Sequence, residues 1–227
     1  MGPHEYSFAP ADLKKIAGAS LVFANGLGLE NWLTEIVKKS DFQGKIIEVG
    51  RGLAPNDADP HVWLDPIRAE EMVKNIAAAY RAADPAESTS YDQNAAAYIG
   101  KLEALHQSYN ESLAKLPDKR FIAFHSAFGY LAERYGLEQV AVIEEFPGKE
   151  PTSKYLADLV DLIKREKIKV LFSEPQFSAK IVETVARETG ALVYELDTME
   201  VGELAPDSYE KIMEKNLKTL VRAFSPR

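Results

Sequence analysis

Apolar and polar positions along the chain follow two periods. Short apolar runs at 20–24 (SLVFA), 45–49 (KIIEV), 121–124 (FIAF), 140–143, 170–172 and 192–196 read as strands. Between them, apolar residues recur at steps of three and four over 10–17, 30–39, 66–81, 127–135, 153–166, 178–189 and 209–224, the period of helices with one buried stripe. The longest such stripe is Tyr91, Ala95, Tyr98, Leu102, Leu105, Tyr109, Leu113 and Leu116. Asp84 with Glu87 predicts a capping box at its start, Pro85 suits the first helical position, and Pro117 ends the run. At 1.5 Å per residue this helix would span on the order of 40 Å, longer than one small domain needs. It reads as a stiff link, over 84–117, between an N-terminal lobe over 1–83 and a C-terminal lobe over 118–227. Strand and helix alternate in each lobe, which predicts an α/β fold with mostly parallel sheets wound with helices.

Composition narrows the classes of function. The 227 residues are 46% hydrophobic, enough for one large core or two small ones. A formal net charge of −8 and the lack of a basic face argue against a nucleic-acid partner. There is no cysteine, so a transition-metal site would have to be built from histidine and carboxylate. Gly26 and Gly28 suggest a dinucleotide loop, but Asn31 stands where G-x-G-x-x-G needs its third glycine.

The four histidines are His4, His61, His106 and His125. His61 lies between Pro60 and Pro66 in a stretch that cannot be helical before Asp65 caps the next helix. Such a stiff loop suits a ligand, because a preorganised donor loses less entropy on binding. His125 follows a strand directly and precedes a helix, the edge at which open α/β sheets place their ligands. His4 precedes the first helix, and Asp197 follows the last strand at the same edge as His125. His106 falls within the long helix, off its apolar stripe, and reads as a solvent-facing residue. Three imidazoles and one carboxylate, His4, His61, His125 and Asp197, form a closed tetrahedral shell that favours zinc.

These residues lie in segments that resemble a known family. Pro3-His4-Glu5-Tyr6 with Pro10 and Asp12, Asn25-Gly26-Leu27-Gly28-Leu29-Glu30, Asp59-Pro60-His61-Val62-Trp63-Leu64-Asp65-Pro66, Phe124-His125-Ser126-Ala127-Phe128-Gly129-Tyr130, Glu174-Pro175-Gln176-Phe177 and Glu195-Leu196-Asp197 run in family order across the chain. Together they resemble the cluster-nine solute-binding proteins, the zinc and manganese receptors of ABC importers, which include several lipoprotein adhesins. The resemblance implies two α/β lobes joined by a long helix, with the metal held between them. It assigns His4 and His61 to the first lobe's share of the ligands, and His125 and Asp197 to the second's. It implies an extracytoplasmic protein, periplasmic or anchored at the cell surface, that delivers its ion to a membrane permease, with its signal segment outside this chain.

Two departures from the family pattern matter. Members have a strand, a helix and another strand before the first ligand histidine, whereas Met1-Gly2 stands almost directly before His4. The first lobe is therefore expected to be loosely packed or completed by self-association. Zinc receptors also often carry a His-rich acidic loop before the second ligand, and 50–59 is a polar loop without one. Manganese receptors commonly have glutamate where His125 stands, so the third imidazole favours Zn(2+), with Mn(2+) or iron as the alternative. Binding needs deprotonated imidazoles and should weaken below about pH 6. A three-histidine zinc hydrolase would need an open fourth position and a base such as Glu5 or Glu174, and no H-E-x-x-H element supports it. The reading is of a receptor, not an enzyme, with a metal-independent adhesin as the remaining alternative.

Overall fold

The structure, a computed structural model, describes residues 2–54, 59–145, 148–202 and 205–226. Part of the polar loop expected over 50–59 therefore lies outside the described residues, as does Met1. The chain divides into two compact units, Met1–Glu103 and Ala104–Arg227. No helix among the described residues is long and apolar enough to cross a membrane.

The first unit begins with a single 3-10 turn, Pro3–Glu5, followed by α1 (Pro10–Ala17), β1 (Leu21–Ala24), α2 (Leu33–Lys39), β2 (Lys45–Glu48) and α3 (Pro66–Ala83). β1 and β2 pair in parallel, Leu21 against Lys45 through Ala24 against Glu48. Ala24, Leu33 and Ile36 form a small buried cluster, flanked by the partly buried Phe8, Leu13, Ile16, Val22, Trp32 and Val37. Ile46 of β2 remains 40% exposed. Helix α2 starts later than its apolar pattern predicts because Glu30 turns back to accept the backbone N–H groups of Asn25 and Gly26, at 2.8 and 3.0 Å. Gly26 and Gly28 both have positive φ, which lets the loop fold back onto the Glu30 carboxylate.

Asp65 caps α3 as expected, its Oδ1 accepting from the Ile67 N–H at 3.0 Å with Pro66 in the first position. The capping box expected at Asp84 does not form. Asp84 both ends α3 and stands as the N-cap of a 3-10 turn over Pro85–Glu87, with Pro85 in the first position as expected; its side chain accepts from the Tyr91 hydroxyl at 3.2 Å, and the turn leads into the 26-residue α4 (Ser88–Leu113). α4 runs through the sequence boundary of the two units.

The second unit contains the end of α4, then β3 (Arg120–Ala123), α5 (Gly129–Tyr135), β4 (Glu138–Val142), α6 (Ser153–Glu166), β5 (Val170–Ser173), α7 (Lys180–Thr189), β6 (Leu192–Glu195) and α8 (Ser208–Phe224). Its strands form one parallel sheet in the order β4-β3-β5-β6. The chain steps outward from β3 to β4 and then returns to the other side of β3 at β5. That reversal makes the β3/β5 crevice the topological switch point, where such sheets bind ligands.

Alternation along the strands divides the apolar side chains between the two faces. Ile122 and Leu171 join Leu159, Ile163, Val182 and Val185 in one core. Phe121 and Phe172 meet Phe224 of α8 on the other face, with ring centroids 5.2 to 6.3 Å apart. The fully buried Tyr109 of α4 donates its hydroxyl to the Met213 carbonyl at 2.7 Å, and burial pushes that phenol well above its ordinary range. His106 is half-buried, not solvent-facing: its Nδ1 lies 3.0 Å from the Tyr135 hydroxyl and its Nε2 2.9 Å from Asn110 Nδ2.

Candidate metal centre

In the first unit, His4 and His61 meet edge to edge, their Nε2 atoms 3.2 Å apart. Two ligands on a tetrahedral zinc at about 2.05 Å would be about 3.3 Å apart, so this edge has the span that a shared ion requires. Each ring is positioned by neighbouring loops. The Trp32 indole N–H donates to the Pro3 carbonyl at 2.9 Å, which fixes the turn carrying His4. Asn25, at the end of β1, donates to the Pro60 carbonyl at 2.9 Å and so ties the His61 loop to the strand edge.

His61 is buried, and Asp59 fixes its tautomer. One Asp59 oxygen lies 2.7 Å from Nδ1 and accepts the His61 backbone N–H at 3.0 Å. A carboxylate only accepts, so the ring's proton sits on Nδ1 and its lone pair on Nε2, the face turned to His4.

The second unit repeats this chemistry. His125 follows β3 and Glu174 follows β5, at the switch point. His125 Nδ1 lies 2.8 Å from each Glu174 carboxylate oxygen, and its backbone N–H donates to the same group at 3.1 Å. Glu174 is buried, and desolvation raises its pKa although the hydrogen bonds and charge of His125 pull it down. His125 Nε2 is thereby turned toward Glu200, whose Oε1 lies 3.8 Å away. Burial also raises the pKa of Glu144, which accepts from the Gly148 N–H at 3.2 Å.

Asp197, the carboxylate singled out in the sequence, stands in a turn that follows β6. Its Oδ1 accepts the Met199 N–H at 2.8 Å, and its backbone is clamped by Asn216 of α8 through bonds of 3.0 and 2.8 Å. Met199 then takes a positive φ of 60°, and this tight turn delivers Glu200 to His125. Glu200 was not distinguished by the sequence pattern; its spacing of three residues from Asp197 is the one signal that could have pointed to it. Asp59 and Glu174 were visible within their motifs, but not as partners of Nδ1.

Each unit thus carries a pair of ligand atoms suited to a transition metal, with every buried ring oriented by a carboxylate on its far nitrogen. The fold and these pairs define an α/β protein with histidine–carboxylate chemistry at the carboxyl ends of parallel strands. The family described as zinc-uptake complex component A, periplasmic (ZnuA), matches residues 1–223, and the chain belongs to it.

The high-affinity zinc uptake system protein ZnuA of Bacillus subtilis is 34% identical over 245 residues, which cover 96% of this chain and 76% of that protein. The zinc-binding lipoprotein AdcA of Streptococcus pneumoniae is 32% identical over 242 residues, 96% of this chain but 48% of AdcA, so the chain spans about half of that relative. The solute-binding protein FpvC of Pseudomonas aeruginosa, solved in complex with Mn2+, superposes with a TM-score of 0.90 at 33% identity, covering 99% of this chain and 86% of FpvC.

Proposed function

We propose that this protein is an extracytoplasmic receptor for a divalent transition metal, zinc in the first place, and that it passes its ion to an ABC permease. The observation that carries the reading is the repeated arrangement at His61 and His125: a carboxylate on Nδ1, a backbone N–H on the same carboxylate, and Nε2 presented to a second ligand. A hydrolytic site would leave one position for water. Two ligand pairs sharing one ion would instead close a four-coordinate shell, which suits carriage over catalysis.

In this reading His4, His61 and His125 supply three nitrogens and Glu200 supplies one oxygen, while Asp197 shapes the turn that presents Glu200. The nitrogen-rich set favours zinc over manganese. Helix α4 serves as the stiff link between an N-terminal and a C-terminal lobe. Self-association through the β1–β2 sheet is a further part of the proposal, supported by the exposed Ile46.

Zinc titration against a chromophoric chelator tests the ligand set. One ion per chain is expected, with binding lost in His61→Ala and in His125→Ala, and Glu200→Gln costing more affinity than Asp197→Asn. Undiminished zinc binding in both histidine variants would overturn the reading. Sedimentation of the wild type against Ile46→Glu tests the self-association.

A further inference from the structure

We propose that Gln176 is a specificity-determining positioning residue: by holding one oxygen of Glu200, it confines that carboxylate to single-oxygen ligation and biases the site toward zinc and against manganese. The inference rests on the metal-receptor reading above and adds a cause for its selectivity.

Gln176 stands two residues beyond Glu174, in the loop that follows β5. Its Nε2 lies 3.0 Å from Glu174 Oε2, 3.0 Å from Glu200 Oε2 and 2.8 Å from Thr198 Oγ1. The fully buried Thr198 accepts from Gln176 and donates its own proton to Glu200 Oε2 at 3.3 Å. Two donors therefore converge on Oε2 of Glu200, while Oε1 is the oxygen nearest the His125 ring.

The amide orientation follows from charge. Its NH2 side faces two carboxylates, and a flipped amide would set its carbonyl against them. The buried Oε1 of Gln176 has no hydrogen-bond partner among the described residues, so this orientation is kept at the cost of an orphaned acceptor. Such a cost is tolerated where the donor side has a fixed task.

The task follows from metal geometry. Zinc is satisfied by four ligands and takes one carboxylate oxygen, whereas manganese is harder and prefers a larger, oxygen-rich shell. The simplest added oxygen is Oε2 of Glu200 in bidentate ligation. Reaching it means swinging that oxygen away from both Gln176 and Thr198, so manganese loses two hydrogen bonds that zinc keeps.

The test measures zinc and manganese affinities by chelator competition, and the ligand count of bound zinc by X-ray absorption, for the wild type, Gln176→Ala, Thr198→Val and His125→Ala. The expected result is a manganese-to-zinc affinity ratio raised about tenfold in Gln176→Ala, with a smaller rise in Thr198→Val. The zinc ligand count should rise above that of the wild type. Thr198→Val preserves shape and gives a second reading should Gln176→Ala misfold. An unchanged ratio in the folded variants, or equal loss of both metals, would overturn the proposal and leave Gln176 a merely structural residue. A wild type that binds no zinc, or a His125→Ala variant that binds as well as the wild type, would instead remove the underlying metal site, a result visible without any variant at position 176.

Discussion

Asp59 accepts two hydrogen bonds from His61 through a single oxygen, from the backbone N–H at 3.0 Å and from Nδ1 at 2.7 Å. The pair fixes both the loop conformation and the ring tautomer, so that the nitrogen facing His4 carries the lone pair. Removing the carboxylate in Asp59→Ala frees the ring to rotate and to change tautomer. Zinc affinity should fall about 10–100-fold. Asp59 is only partly buried, so the thermal midpoint should move little. Chelator competition and a melting curve on the same sample separate the two effects.

A second prediction concerns the turn after β6. Asp197 holds the Met199 N–H, and Met199 pays for the turn with a left-handed backbone that a non-glycine residue rarely adopts. Met199→Gly should keep wild-type zinc affinity, since glycine adopts that φ without strain. Asp197→Ala should weaken zinc binding by loosening the turn, yet by less than Glu200→Ala, which removes the carboxylate beside His125. Equal losses in the two alanine variants would contradict this division of roles.

How far the sequence revealed this arrangement depended on how local each feature was. The strands expected at 20–24, 121–124 and 170–172 and the cap at Asp65 follow from runs and spacings of a few residues, and the strands fall within a residue of those bounds, at Leu21–Ala24, Arg120–Ala123 and Val170–Ser173. The parallel α/β class followed from the same alternation. Element ends were less legible: Glu30 left the helix to cap a loop, and Asp84 begins the helical run at Pro85 as expected but without the side-chain bond of a capping box, and it also closes the helix before. The histidines at strand ends and in the Pro60–Pro66 loop stood out because periodicity excluded them from helix and strand interiors. Glu200 did not, because its placement depends on Asn216 of α8, a residue distant in the chain that clamps Asp197 and sets the turn. Likewise, nothing local shows that Glu174 should meet Nδ1 of His125, 49 residues earlier.

A third prediction tests the strand-edge loops of the first unit. Gly50 donates its N–H to the Asn25 carbonyl at 2.9 Å, and a Cβ at this position would lie 2.6 Å from that same oxygen. Gly50→Ala must push apart the loops that follow β1 and β2. The expected cost is about 1–3 kcal/mol in urea unfolding. Because Asn25 also holds the Pro60 carbonyl, zinc affinity should fall with it. An unchanged unfolding midpoint would show that the two loops are not coupled in this way.

The last prediction links a buried charge to stability. Glu70 of α3 is only 7% exposed, and its Oε1 has no hydrogen-bond partner among the described residues. Desolvation raises its pKa, and the nearby Glu103, Glu71 and Asp65 raise it further, while Lys74 opposes them. The folded state therefore holds this proton more tightly than the unfolded chain does. The resulting stability is fully present below the ordinary glutamate range and is lost as pH rises through the raised folded value. Glu70→Gln has nearly the same shape and no titrating proton, so it removes that part of the pH slope. The variant should match the wild type near about pH 4 and exceed it by on the order of 1 kcal/mol near about pH 8. Urea unfolding across this range gives the comparison directly. A wild-type advantage that grows with pH would mean that the ionised Glu70 is stabilised by its surroundings, contrary to the burial and like-charge neighbours seen here.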